Sequence, residues 1–495
     1  MYIQSLTIEN VKSISKPTKF TFERGVNYLV GNNNAGKSSV FEALMFLVGG
    51  RYDPAALFTK DTSEATHVVA VLAGENLKSI LETPKFTKFL PYLIEEGNSS
   101  YILKVKRSNK HETVVQNDKA IELDEKKIQL WSEERDRWEN PTGIDALFKA
   151  LVDIEPIWAD IQPSDATDIS ATKVLGKLIN REAEHFYEKD IWKKFIGIYK
   201  EAFEGHDESL AKISQVIIGQ IATLVSEQYG TASARLEYRV PDANTFVKEA
   251  TLQVTDSFNE TPIGDKGTGM QRAFALAALQ LWSQKENSKS SAEIPLILLI
   301  DEPETWLHPL AQIKLAQAIS KIAVAQGQQI FIITHSPYML QSFKPECDRL
   351  HVMERKEDEL SVMAHHEISH VGNRVPTLAE ITYRAFGLAT VDLHNELFGY
   401  ITEKYVVNKY GQGVRNVDRY LSENGITLSH EYSWNGKKNN CTLPYYVRNQ
   451  IDHPDNKENE RFSPAELEES VRLMVELIEK QKDSLDTGDT LEPLE

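Results

Sequence analysis

The chain has 495 residues, 41% hydrophobic and 26% charged, which excludes a disordered, collagenous or wholly membrane-embedded protein; it exceeds the ~250–300 residues at which a single core stops growing, so several domains are expected. Its 55 basic and 73 acidic side chains give a net charge of −18, and residues 451–495 alone hold 14 acids and 5 bases, a balance that argues against DNA binding by uniform phosphate attraction but leaves a local basic groove open. No run approaches the ~20 apolar residues of a membrane span, the first twenty residues carry no leader pattern, and two cysteines, Cys347 and Cys441, allow at most one bridge, so a cytoplasmic protein without membrane contact is expected.

The chain opens with strand-like segments at 3–8 and 19–22. A third, 26–30, runs into a glycine-flanked turn and an apolar helix over 38–48. The turn reads Gly31-Asn32-Asn33-Asn34-Ala35-Gly36-Lys37-Ser38, followed by Ser39, a full match to the G-x4-GK[ST] phosphate loop. Glycines let successive backbone N–H groups converge on phosphates, a lysine supplies charge to the β- and γ-oxygens, and a serine at the helix start ligates Mg²⁺. Lys104, Lys106, Arg107 and Lys110 are either a solvated strand edge or a nucleic-acid contact.

Segments 101–107 and 112–122 read as a hairpin continuing the first lobe. From about 166 to 229 the pattern turns helical, and Leu210, Ile213, Ile217, Ile221 and Leu224 recur at spacings of three and four, the stripe of a core face or a partner-helix seam. Residues 234–256 alternate like a hairpin. They lead to Gly264-Asp265-Lys266-Gly267-Thr268-Gly269-Met270-Gln271-Arg272, a glycine-rich turn opening a helix, which is a second anion-binding device or a plain helix start.

The run 294–300 reads as a buried parallel strand ending in the acids Asp301-Glu302. A carboxylate pair there suits a metal ligand, Asp301, beside a group that orients or deprotonates water, Glu302. A second buried strand, 329–333, ends in Thr334-His335-Ser336-Pro337 and brings His335 to the same edge. Farther on, Thr377 with Glu380 and Ser463 with Glu466 form candidate capping boxes, an amphipathic acidic helix spans 467–478, and a tail of low hydropathy follows.

The phosphate loop, glycine turn, acid pair and histidine stand in the order of ATP-binding-cassette-class ATPases. The chain resembles the OLD-like and SMC/RecF-like branch, with the strand pair around SLTIENVKS before the loop and the acids extended to DEPETWLHP, Asp301 to Pro309. The resemblance implies an α/β fold, a two-lobed ABC-type ATPase head on a mixed and parallel sheet core, with a helical arm insertion and a helical C-terminal domain. It divides the chain into head at 1–75 and 251–345, arm at 76–250, a helical docking or effector-like domain at 346–480 and an acidic disordered tail at 481–495.

It also implies ATP and Mg²⁺ as cofactors. Residues 31–39 would hold the nucleotide, Ser38 and Asp301 the Mg²⁺ shell, Glu302 the attacking water and His335 the γ-phosphate. In a homodimer or higher oligomer, Lys266, Gly267, Thr268 and Gly269 would complete the partner's site. No coupling-loop glutamine is placed by the pattern. The resemblance extends to ATPase subunits of Septu and retron-associated anti-phage systems, which implies a separate nuclease or other effector partner. Two alternatives stay open: a ribonuclease of the HEPN kind using Arg448 and His453, and a RecF/SMC-like DNA-repair ATPase.

Overall fold

The computed structural model describes residues 1–49, 65–97, 100–109, 112–116, 119–123, 127–157, 189–205, 210–229, 250–256, 259–267, 296–305, 307–326, 328–356, 359–364 and 376–486, with a few isolated positions between them. The chain divides into two compact units, one made of Met1–Ala159 with Ser291–Glu495, the other of Asp160–Ser290.

In the first unit the strands are β1 (Tyr2–Glu9), β2 (Thr18–Thr21), β3 (Val26–Gly31), β4 (His67–Ala73), β5 (Ile94–Gly97), β6 (Ser100–Ser108), β7 (Glu112–Gln116), β8 (Lys119–Leu123), β9 (Ile128–Ser132), β10 (Arg137–Glu139) and β11 (Asp153–Ile157). The second unit contributes β12 (Gln253–Thr255) and β13 (Glu260–Pro262), and the first resumes with β14 (Leu296–Asp301), β15 (Gln329–Ile333), β16 (Arg349–Lys356), β17 (Glu359–Ala364), β18 (His430–Trp434) and β19 (Lys437–Cys441).

Two sheets form the head. One runs β11-β14-β15-β3-β16-β17, parallel except at β17; the other is antiparallel, β10-β9-β6-β4-β1-β2 with β5 on β6. Strand β3 lies in the middle of the parallel sheet and is buried at all six positions, as a strand covered on both faces must be. Strand β1 alternates as a one-sided strand does, apart from a register shift between Ile3 and Ser5.

The helix Lys37–Val48 is apolar around most of its circumference, with nine of its twelve residues buried, the mark of a helix enclosed on all sides. Phe41, Leu44 and Leu47 share one core with Leu6 and Leu72 of the antiparallel sheet and Leu299 and Phe331 of the parallel sheet. Each such side chain contributes about 1.5–3 kcal/mol, so the helix that follows the phosphate loop is fixed from both sides.

Some boundaries differ from those expected from sequence. Strand β6 continues the first-lobe sheet, as the reading of 101–107 expects, but 112–123 does not pair with it and is a hairpin in its own right, β7 with β8; strands β5, β9 and β10, from the segment assigned to the arm, also pair into that sheet. Strands β16 and β17, assigned to a helical C-terminal domain, complete the head sheet instead, because β16 is the parallel neighbour of β3. Arg107 is no basic groove residue. Its side chain is buried, donates Nε–H to the Leu47 carbonyl at 2.9 Å and so caps the C-terminal end of the Lys37–Val48 helix, where a cation meets the negative end of the dipole. Lys106 lies over the Trp138 ring, and Lys110 is outside the described residues.

Both capping boxes form. Glu380 N–H donates to Thr377 Oγ1 at 3.2 Å and Thr377 N–H to Glu380 Oε2 at 3.0 Å; Ser463 and Glu466 exchange the equivalent pair at 3.2 and 2.6 Å. The last helix spans Pro464–Asp486 and packs with the Val391–Ile401 and Leu443–Asp452 helices around Leu397, Val447 and Met474. Of the expected disordered tail at 481–495, residues 481–486 instead continue the last helix, and 487–495 lie outside the described residues. Both cysteines are free thiols. Among the described residues no helix is long and apolar enough to cross a membrane.

In the second unit, the helices Asp190–Lys200 and Leu210–Tyr229 carry the expected pattern, and β12 pairs with β13 just before the glycine turn. Most of 158–188 and all of 235–249 lie outside the described residues.

Candidate active site

Parallel strands all point the same way, so their carboxyl ends gather at one edge, where open α/β sheets bind ligands. Here β3 delivers the phosphate loop, β14 delivers Asp301 and Glu302, and β15 delivers Thr334 and His335. Asp301 lies opposite Ile333 in the β14–β15 register, which places the acid pair and the histidine turn side by side.

The loop's shape depends on its two glycines. Gly31 has φ +137° and a side chain there would stand 2.0 Å from the Met353 carbonyl oxygen of β16; Gly36 has φ +96°, and a Cβ added to it would stand 2.5 Å from Ser13 Oγ. Asn34, at φ 64°, is the residue type besides glycine that tolerates the left-handed region. Ser39, behind the loop, is buried and hydrogen-bonds Ser13 Oγ at 2.9 Å. No side chain caps the N-terminus of the Lys37–Val48 helix and no acid lies in its first turn, so its positive end is open to an anion.

Lys37 is buried and folds back onto its own loop, donating from Nζ to the Gly31 and Asn32 carbonyls, both at 2.9 Å. Burial lowers its pKa from 10.5 to about 8, against the raising fields of Glu302, Asp301 and Glu304. Because the folded value lies below the unfolded one, the buried charge opposes folding below pH 8, and that cost is lost as the pH rises toward 10.5. Phosphates would restore the charged form. ATP affinity is therefore expected to weaken by up to about tenfold per pH unit above pH 8, measured by equilibrium titration between pH 7 and 10; a flat profile would remove Lys37 from the phosphate contact.

Glu302 occupies the left-handed region at φ 43° and its N–H donates to the Ile333 carbonyl at 2.9 Å. A non-glycine residue held there costs about 1–3 kcal/mol, the kind of strain that clusters at functional sites. Its Oε1 lies 3.6 Å from His335 Nε2. Burial and then Lys37 lower the His335 pKa, with Glu302 opposing, so near pH 7 the ring is the neutral imidazole.

Sequence reasoning missed the framework behind these groups. Glu304 is largely buried, with its pKa raised by desolvation, and its Oε1 accepts the His335 backbone N–H at 2.7 Å. Ser336 Oγ donates to Gln312 Oε1 at 2.5 Å, and Gln312 Nε2 donates to the Leu307 carbonyl at 2.8 Å. These bonds tie the segment after β14 to the histidine turn, so the acid pair and His335 are held as one piece. The second glutamate of DEPE was the available signal.

In the second unit, Lys266 is not extended. Its Nζ pairs with Asp256 Oδ2 at 2.8 Å and bonds Asn259 Oδ1 at 3.0 Å, and its side chain is buried. Gln271 Nε2 closes the turn on the Gly264 and Lys266 carbonyls at 2.9 and 2.7 Å. Gly267 precedes the helix start, while Thr268, Gly269 and Arg272 lie outside the described residues.

Arg448 and His453 do not meet within the chain. Arg448 ion-pairs with Asp452 and sits over the Phe398 ring, whereas His453 terminates the same helix with its ring against Trp434. Residues five apart on an ideal helix diverge by about 140°, and His453 stands at the C-cap with φ −124° and ψ 64°, outside the helical conformation.

The model of the AAA ATPase domain family matches residues 1–340. The chain belongs to this family. It is 27% identical over 358 residues to the Old nuclease of Escherichia phage P2, covering 69% of this chain and 57% of that protein, so the match spans little more than half of the relative. Shorter stretches match the chromosome partition protein Smc of Mycobacterium tuberculosis (45% identity over 49 residues, 10% of this chain, 4% of that one) and the DNA replication and repair protein RecF of Mannheimia succiniciproducens (42% over 60 residues, 12% and 16%). Among solved structures, an Smc head bound to the C-terminal winged-helix domain of ScpA is similar at 15% identity, over 74% of the AAA ATPase chain and 97% of that one, with a TM-score of 0.40.

Proposed function

We propose that the chain is an ATP-hydrolysing switch that works as a dimer or higher oligomer. The observation that carries this reading is the convergence of Lys37, Asp301, Glu302 and His335 at one edge of the parallel sheet. The Ser38 hydroxyl and the Asp301 carboxylate are hard oxygen donors that fit Mg²⁺, which, when bound, would neutralise charge on the β- and γ-phosphates.

The chain's own residues do the rest. Lys37 leaves its loop carbonyls for the phosphate oxygens. Glu302 orients the attacking water and accepts its proton as the water oxygen bonds to the γ-phosphorus and the bond to the β–γ bridging oxygen breaks. The neutral His335 ring, beside Glu302, donates a hydrogen bond to the departing γ-phosphate.

The site is read as composite, with Lys266 and the glycine turn supplied by a second copy. The arm stripe supports an oligomer, since Leu210, Ile213, Ile217, Ile221 and Leu224 are all exposed, far more apolar helix surface than a lone arm presents to water. Lys266 must break its pair with Asp256 to serve in trans. Mixing Lys37→Ala with Lys266→Ala chains is then expected to regain up to about half of the wild-type turnover per mixed dimer, measured by phosphate release; a purely additive loss would confine the turn to its own chain.

The switch is read as controlling a separate nuclease in an anti-phage system. The similarity to the phage Old nuclease and the separation of Arg448 from His453 support an effector held by the chain rather than cutting by this pair. Co-expression with the product of a neighbouring nuclease gene tests it: an ATP-dependent complex is expected, and no association would reject the partner.

A further inference from the structure

A cleft of about 300 Å³ opens in the C-terminal part, lined by no residue of the phosphate loop. The hairpin β18–β19 turns through Asn435 and Gly436, at φ 51° and 73°, a two-residue turn of the primed kind that matches strand twist. It holds Trp434 at the mouth of the cleft, 44% exposed, with its ring centroid 4.5 Å from that of His453 at an angle of 45°. Arg415 stands on the exposed first turn of the Val414–Glu423 helix, while Asn439 and Asn440 come from β19 and Asn449 from the Leu443–Asp452 helix.

The lining is unusual for a peptide groove. Ten residues surround the space and none is valine, leucine, isoleucine, methionine or phenylalanine, so an aliphatic anchor would gain little there. Planar rings and carboxamides dominate. A carboxamide offers both a donor and an acceptor, as the edge of a nucleobase requires, and a half-exposed tryptophan offers the face on which a base stacks. Asp418, the one acid in the lining, is committed to the Thr442 backbone N–H and hydroxyl at 2.8 and 2.7 Å. The Arg415 guanidinium, which hydrogen-bonds the Tyr445 side chain, is the one arginine or lysine of the lining.

We propose that this cleft binds one nucleobase with its phosphate, stacked on Trp434 beside His453, from either a free mononucleotide or an unpaired residue of a single strand. The proposal does not depend on the ATP-site reading. A volume near 300 Å³ holds one base and its sugar, at the lower end of ligand pockets. With −18 on the chain and one guanidinium at the site, affinity should come from stacking and edge contacts, with little long-range attraction.

The test uses the full chain, 5′-fluorescein single-stranded RNA and DNA 12-mers read by anisotropy, and competition by AMP, GMP, CMP and UMP. Trp434→Ala and Arg415→Ala are each expected to weaken binding about tenfold or more, and Trp434→Phe, which keeps a stacking face, by less than about threefold. The slope of log K against log salt should be near −0.7, the value for one phosphate on a single strand. ATP turnover should be unchanged in Trp434→Ala.

Mononucleotide competition at comparable affinity would identify the free nucleotide as sufficient ligand; competition by strands alone would identify the strand. The proposal is overturned if nothing binds saturably below about 1 mM, if binding survives both alanine substitutions, or if the salt slope is several times steeper. Trp434 fluorescence that responds to a polypeptide and never to a nucleotide would also overturn it.

Discussion

Replacing Glu302 by glutamine is expected to leave ATP affinity within about threefold of wild type while steady-state phosphate release falls by at least ~100-fold, the range for loss of a general base. Glutamine has the same shape, so the left-handed turn at φ 43° and the N–H bond to Ile333 survive. What disappears is the carboxylate 3.6 Å from His335 and the largest field that raises the Lys37 pKa. The variant should therefore accumulate the ATP-bound state at pH 7, and its loss of affinity with rising pH should set in at a lower pH than in wild type. Nucleotide retained on the protein after gel filtration, set against phosphate release, separates the two steps. Turnover within tenfold of wild type would move the base to another residue, and Glu304 would be the next to test.

The largest stability effect is expected from Gly31→Ala. The added methyl would stand 2.0 Å from the Met353 carbonyl oxygen, a backbone atom of the neighbouring strand, and φ +137° is a conformation that side chains rarely adopt. Overpacking and backbone strain cost about 1–3 kcal/mol each. Their sum, roughly 4 kcal/mol, is a large part of the ~5–15 kcal/mol that holds a domain folded. Either β3 shifts and the loop loses its shape, or the chain fails to fold; thermal unfolding should drop by about 10 °C or the protein should be insoluble. Gly399→Ala is the control, since no atom lies within 4 Å of that added carbon in its helix. An unchanged melting temperature in Gly31→Ala would mean that β3 and β16 are not packed as described.

The phosphate loop, the acid pair and the histidine were legible because each is a contiguous run at the end of an apolar strand, and the strand and loop patterns are local. The framework between them was not. That Glu304 holds the His335 backbone, or that Gln312 bonds Ser336, depends on which strand lies beside which, and the order β14-β15-β3 is fixed by packing of distant segments. Arg107 misled for the same reason: within its basic run it looks solvated, yet alternation along β6 turns it inward onto the end of the Lys37–Val48 helix. Strands β16 and β17 were hidden by their place after His335, where the motif series ends, although Arg349–Lys356 is needed to cover the open edge of β3. Lys266 could be aligned with a signature position, but its pairing with Asp256 across ten residues could not be read from spacing. The cleft beside Trp434 draws on a helix start, a hairpin and a helix end, which no linear motif joins.

The assignment of the ATP site is tested most directly by equilibrium binding of Mg-ATP to the wild-type chain and to Lys37→Ala, side by side at pH 7. The expected result is saturable binding at one ATP per wild-type chain and at least ~100-fold weaker binding in the variant. Its thermal unfolding without nucleotide should be unchanged or slightly raised, because a desolvated lysine has been removed. Wild-type affinity in a well-folded Lys37→Ala chain would contradict the assignment.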